Sequence, residues 1–248
     1  MKRTWAVIPA YNAGDPLPGV ARRAAAILGS DRVLVVDDGS SDGAPERARE
    51  AGAQVIAHPA NRGKGAALST GFAAALAAGA EGVITLDADG QHDPAWIPRF
   101  LEAAETADLV LGSRMRDPGA MPRLRRGVNR FTSAVVGRLA GTPLTDSQSG
   151  FRWIAREVLE AVRIESRRFD AESEILIKAA RRGFRIVEIP VPAVYGNEVS
   201  RIRPMRDTLR FFRLVARSLG WVAEARRARR RTPAAGPRSR AGGTDGER

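Results

Sequence analysis

Short apolar runs alternate with helix-length segments through the first 113 residues, and this alternation restricts the fold more than any other feature. Runs at Ala6-Val7-Ile8, 33–36, Gln54-Val55-Ile56, 83–86 and 109–111 have the length and β-branched content of buried strands. Helical patterns fall between them at about 16–29, 43–51, 64–78 and 95–106. Asp42 is placed to cap the second of these, and Asp93-Pro94 to open the last. Strands this short, joined by helices, predict an α/β fold with a mostly parallel sheet flanked by helices on both faces. Ligands of such sheets gather at the carboxyl ends of the strands.

The second half is less regular. Residues 113–126, rich in Arg, Pro and Gly, read as a mobile loop. Helices are predicted at 127–140, 155–162 and 170–182, and a late strand at 186–190. The net charge of +12 is concentrated at one end: residues 201–248 hold 14 arginines and 4 acids, while residues 1–200 are nearly neutral. The basic character therefore belongs to the C-terminal segment, which could meet nucleic acid or an anionic membrane. There is no cysteine, so disulfides and thiolate metal sites are excluded, in keeping with a reducing compartment. No run approaches the roughly 20 apolar residues of a membrane-spanning helix, and the N-terminal residues show no signal-peptide pattern.

Three segments carry chemistry. Asp87-Ala88-Asp89-Gly90-Gln91 follows an apolar strand-like run. On a strand the two carboxylates would point to one side and repel unless a cation lay between them. A divalent ion with oxygen ligands suits that place, and it would in turn hold a diphosphate; a plain strand-to-loop turn is the alternative. Asp37-Asp38-Gly39-Ser40-Ser41-Asp42 ends the second strand, where carboxylates can accept from a base N–H or ribose hydroxyls while Ser41 or Asp42 caps the next helix. Asn61-Arg62-Gly63-Lys64-Gly65 precedes a helix and suits either a phosphate or a tight turn. It is not a Walker A loop, because His58 and Gly65 stand where that pattern needs Gly and Ser or Thr.

These motifs occur in order with Pro9-Ala10-Tyr11-Asn12, Gly112-Ser113-Arg114 and Asp146-Ser147-Gln148-Ser149-Gly150-Phe151-Arg152. The ordered set, across about residues 4–200, resembles the family 2 glycosyltransferases of GT-A fold, in particular their dolichyl- and polyprenyl-phosphate sugar synthases. The resemblance implies a Rossmann-like GT-A domain over 1–203 and a nucleotide-sugar site formed by Pro9, Tyr11, Asp38, Lys64, Asp87, Ala88, Asp89, Arg114 and Arg201. It implies Mg²⁺ or Mn²⁺ held by Asp87, Asp89 and Gln91, catalytic roles for Asp89, Arg114 and Asp146, and an acceptor phosphate at Asn129, Arg130 and Ser133. Two departures stand out: Ala13 where the family often has Glu, and no Arg upstream of Tyr195-Gly196-Asn197-Glu198, with Arg201 in place of the family's Lys.

The activity so implied is inverting sugar transfer from a GDP-mannose- or UDP-glucose-type donor to polyprenyl phosphate, by a protein bound peripherally at the inner face of the plasma membrane. An anionic lipid phosphate needs orientation rather than a strong base; a hydroxyl acceptor would need one, with Asp146 the candidate. His58 and His92 read as structural. Residues 204–222 predict an amphipathic helix with Arg206, Arg210, Arg213 and Arg217 on one face and Met205, Leu209, Phe212, Ala216 and Leu219 on another, followed by a basic disordered tail at 223–248. Its apolar face suits an anionic membrane surface, its own domain, or a second copy in a homo-oligomer. A basic nucleic-acid-binding protein is the reading from another class, disfavoured as a main function by the near-neutral first 200 residues.

Overall fold

The computed structural model describes residues 2–115, 119, 121–166, 168, 170–192 and 204–231. Seven strands form one sheet: β1 (Thr4–Ala10), β2 (Val33–Asp37), β3 (Gln54–Ala57), β4 (Gly82–Thr85), β5 (Leu109–Ser113), β6 (Arg152–Ala155) and β7 (Ile186–Pro190). Their order is β3-β2-β1-β4-β6-β5-β7. Only β6 runs antiparallel to its neighbours, β4 and β5. The fold is thus the expected mostly parallel α/β sheet.

From β1 the chain moves outward to β2 and β3, then returns to the other side of β1 as β4. That reversal opens a crevice beyond the carboxyl ends of β1 and β4. The central strands are hydrophobic throughout, as strands covered on both faces must be: Ala6, Val7, Ile8, Val33, Val35, Val83, Ile84, Leu109 and Leu111 are all fully buried. One helical layer holds α1 (Pro16–Leu28), α2 (Ala44–Glu50) and α4 (Ile97–Ala104); the other holds α3 (Lys64–Ala77), α5 (Arg123–Ala140), α7 (Asp170–Arg181) and α8 (Pro204–Arg231). The short α6 (Arg156–Ala161) follows β6. In α1 a proline opens the first turn, and Leu17, Val20, Ala21, Ala24 and Leu28 make the stripe that faces the core.

One strand was not anticipated and two expectations are corrected. The stretch 152–155 is a strand, although Arg152 at its head hides the apolar pattern. The helix expected from residue 127 starts at Arg123, so the end of the supposed loop is helical. The C-terminal helix runs to Arg231, so residues 223–231 continue it instead of opening a tail.

The side of α8 that meets the protein is also rotated from the predicted apolar face. Leu214, Ser218 and Val222 are buried, with Phe211 and Trp221 packed against the core, whereas Phe212 and Leu219 face outward. Lys178 of α7 places Nζ 4.4 Å from the Trp221 ring centroid, and Arg217 pairs with Glu165 at 2.8 Å. One flank of α8 is therefore docked on its own domain. Among the described residues no helix is long and apolar enough to cross a membrane.

Candidate functional site

The loops after β1 and β2 are tied together. Asn12, held at a positive φ of 47°, accepts from the Ser41 N–H through its side-chain oxygen and donates its own N–H to Ser40 Oγ. Ser40 in turn donates to Asp37. Asp42 accepts from the Ala44 N–H, but the N-cap position of α2 is Gly43, without a side-chain cap, so the expected capping by Ser41 or Asp42 is replaced by a turn just ahead of the helix. Asp38, the expected nucleoside contact, is engaged within the protein. It is buried, and its carboxylate accepts from His58 Nδ1 (2.8 Å), the Arg62 N–H (2.9 Å) and the Gly63 N–H (2.7 Å). It holds the loop before α3 in place, and His58, also bound to Thr70, is structural as expected. Pro9 sits within β1 opposite Val36. Tyr11, 43% exposed, stands at the crevice mouth, where a planar base could stack.

β4 ends at Thr85, so Asp87 and Asp89 occupy a turn instead of a strand, and the same-side argument made from the sequence does not apply. A positive charge does lie beside Asp87: it is Lys64, the first residue of α3. Lys64 Nζ bridges the Asp87 carboxylate (2.5 Å) and Glu172 of α7 (2.8 Å). Glu172 has no forewarning in the sequence, because it enters from a helix 85 residues further on. Burial would raise the Asp87 carboxyl, but Lys64, with His92 and Arg114, holds it well below the ordinary range. Burial would likewise lower Lys64, yet its two carboxylate partners raise it above an ordinary lysine. Asp87 is thus a fixed anion at neutral pH.

The Asp87 N–H donates to His92 Nδ1 at 3.1 Å, which leaves the ring proton on Nε2. His92 is stacked 5.2 Å from Phe151, and burial lowers its pKa to about 4, so it is a neutral structural acceptor. Asp89 Oδ1 closes the turn by accepting from the Gln91 N–H at 3.0 Å. Asp87, Asp89 and Gln91 together offer hard oxygen donors, the kind Mg²⁺ or Mn²⁺ takes. Gly150 leaves room beside them, since a Cβ there would stand 2.6 Å from Asp87 Oδ2. The residues fit such an ion, although no group of three His, Asp or Glu is gathered at metal-binding spacing among the described residues.

The third part is a buried polar network. Arg114, just past β5, forks onto Asp146 through Nε (2.8 Å) and Nη2 (2.9 Å), and its backbone N–H adds a third bond at 3.0 Å. Asn129 Nδ2 donates to the same carboxylate at 2.8 Å, and Asn129 Oδ1 accepts from Ser133 Oγ at 3.0 Å. Burial would raise Asp146, but the Arg114 and Asn129 bonds bring it below the ordinary range. Fully buried, the Asp146 carboxylate accepts four hydrogen bonds, three of them from Arg114, whose guanidinium it holds in place. The acceptor-phosphate set also separates, because Asn129 and Ser133 are buried in this network while Arg130 is exposed. Arg201 and the 195–198 segment lie outside the described residues.

Arg152 was given no role from the sequence. Its guanidinium donates to the carbonyls of Ser149 (2.8 Å), Ser147 (2.9 Å) and Glu172 (2.5 Å), clamping the 147–149 loop to the start of α7. Its signal was the fixed distance from Asp146 to an Arg heading an apolar run. Lys64, Arg114 and Arg152 thus interleave with Asp87, Asp146 and Glu172 at the strand ends, a balanced cluster able to receive a charged ligand.

Known proteins share the sequence pattern and the fold. The sequence profile described as Glycosyl transferase family 2 matches residues 5–163. The chain is 36% identical over 203 residues to the undecaprenyl-phosphate mannosyltransferase of Micrococcus luteus, covering 77% of this chain and 84% of that protein. It is 30% identical over 250 residues to the UDP-N-acetylglucosamine–dolichyl-phosphate N-acetylglucosaminyltransferase of Methanococcus voltae, covering 90% and 99%. Among solved structures, glucosyl-3-phosphoglycerate synthase from Mycobacterium tuberculosis, crystallised with Mg²⁺ and uridine diphosphate, superposes with a TM-score of 0.68 at 24% identity over 88% of this chain and 78% of that one, a likeness of fold. Profile, relatives and fold converge on one assignment: the chain belongs to the family 2 glycosyltransferases and is a glycosyltransferase.

Proposed function

We propose that this enzyme moves a sugar, with inversion, from a nucleotide-sugar to a polyprenyl phosphate at the inner face of the plasma membrane. Two relatives bear names with undecaprenyl or dolichyl phosphate, and the carrying observation is the state of Asp146. A hydroxyl acceptor needs a base, and Asp146, the base nominated for it, is sequestered by Arg114 and Asn129. A phosphate monoester oxygen is already anionic at neutral pH, so orientation suffices. That oxygen attacks the anomeric carbon as the bond to the departing nucleoside diphosphate breaks on the opposite side, and one displacement inverts the centre.

Arg114, locked in place by Asp146, sets fixed positive charge where the leaving diphosphate gains negative charge. Lys64 supplies a second cation at the start of α3. Asp87, Asp89 and Gln91 would hold Mg²⁺ or Mn²⁺, which as a Lewis acid neutralises diphosphate charge. Tyr11 would cover the base. The donor is of GDP-mannose or UDP-glucose type.

The test is product formation from a panel of UDP- and GDP-sugars with Mg²⁺ or Mn²⁺ and undecaprenyl phosphate, read by mass spectrometry. One donor should give a sugar-phosphate-lipid. Chelation of the metal and Asp89→Ala should each abolish it, and transfer that survives both would contradict the metal assignment. Donor binding without lipid product would overturn the acceptor.

A further inference from the structure

The buried face of α5 builds the Arg114–Asp146 network; among the described residues its opposite face is bare. Leu124, Val128 and Phe131 are 81%, 55% and 64% exposed. Their spacing of four and three residues places them in one line along the helix. Val135, half-buried, continues that line. Gly127 beside it faces open space, with no atom within 4 Å of where a Cβ would stand. Large apolar side chains exposed singly are ordinary, but an ordered stripe of them on one helix marks an interaction surface.

The charge around the stripe identifies the occupant. Residues 123–140 contain five arginines and no acid. Arg123, Arg126 and Arg130 are exposed near the stripe, and none pairs with a described acid. Two copies meeting through this face would bring arginine against arginine, whereas an anionic lipid surface satisfies the apolar line and the cations together.

We propose that the outer face of α5 is a bilayer-docking surface, with Leu124, Val128 and Phe131 inserted below the headgroups and Arg123, Arg126 and Arg130 on anionic lipid phosphates. This rests on the lipid-phosphate acceptor and extends it. Asn129 and Ser133 of the same helix reach the Asp146 network, so a bilayer on the outer face lies about one helix diameter, roughly 10 Å, from Arg114. The helix would hold the site at headgroup depth, where a lipid-borne phosphate can reach it. The stripe on α5 is distinct from the exposed Phe212 and Leu219 of α8.

The test is sedimentation of the full chain with vesicles of phosphatidylglycerol and phosphatidylcholine, against vesicles of phosphatidylcholine alone. Wild type should bind the anionic vesicles, and binding should fall about tenfold or more on the neutral ones. The double variant L124E/F131E should lose binding by about tenfold or more, while F212E/L219E should retain most of it. Far-UV circular dichroism confirms folding, which exposed positions tolerate. Undiminished binding by L124E/F131E overturns the proposal, as does wild type that ignores anionic vesicles. A concentration-dependent dimer that L124E/F131E dissociates, without vesicle binding, assigns the face to a second copy and also overturns it. Turnover with a water-soluble short-chain polyprenyl phosphate, in buffer without vesicles, separates the two claims: L124E/F131E should match wild type there, whereas failure of wild type in that assay counts against the acceptor and leaves the vesicle result standing.

Discussion

On the proposed mechanism, Asp146 supports the site without touching the reaction. Its carboxylate is the shared acceptor of Arg114 and Asn129, all three buried. Truncation by Asp146→Ala would leave a buried guanidinium without its counter-charge, which costs roughly 3–5 kcal/mol; urea unfolding should show that loss together with a collapse of kcat. Its pKa is depressed in the folded state, so the stabilisation it provides is complete above its ordinary value of 3.8 and is lost as pH falls through the lower folded value. Unfolding free energy should therefore show no contribution from Asp146 to its slope between about pH 5 and 8, and an acid-side decline that Asp146→Asn reduces. An unchanged acid limb in that variant would refute the assignment. Asp87, Lys64, Arg114 and Asp146 stood out in the sequence through motif order, and the structure places them together at the strand ends. Their partners were not legible there. Lys64 bridging Asp87 to Glu172, and Arg152 reaching the Glu172 carbonyl, arise from contacts between residues 20 to 108 apart, which no local pattern encodes.

Elements were legible where periodicity was strong. All five N-terminal strands and the helices between them appear within a few residues of their expected places, since uniformly apolar strands and amphipathic helices announce themselves. β6 escaped because it begins with an arginine, which breaks the apolar run and is buried only through bonds to backbone carbonyls, one of them on α7. Its packing is tight: a Cβ on Gly82 of β4 would stand 2.3 Å from the Trp153 ring. Gly82→Ala should destabilise the protein by about 1–3 kcal/mol through overpacking, measurable as a lower urea midpoint with an unchanged slope. In α8 the sequence identified an amphipathic helix but not the side that docks. The choice was made by Trp221 and Arg217 meeting Lys178 and Glu165. Trp221→Ala should free that helix, seen as faster amide exchange in α8 with little change in β1–β5.

For the molecule as a whole, the reversal of strand order about β1 gathers the loops after β1, β2, β4 and β5 at one end of the sheet. Three cations and three acids interlock there, and α5 links that end to an outward apolar stripe. Charge is distributed to match: the sheet domain is close to neutral, and the excess arginine lies on α5, α8 and the C-terminal residues. The central claim is that the acceptor brings its own negative charge, so the enzyme needs no general base. The most direct measurement compares undecaprenyl phosphate with undecaprenol, the same lipid ending in a hydroxyl, under saturating donor and metal. The account predicts a glycosylated product from the phosphate and none from the alcohol; comparable transfer to the alcohol would contradict it.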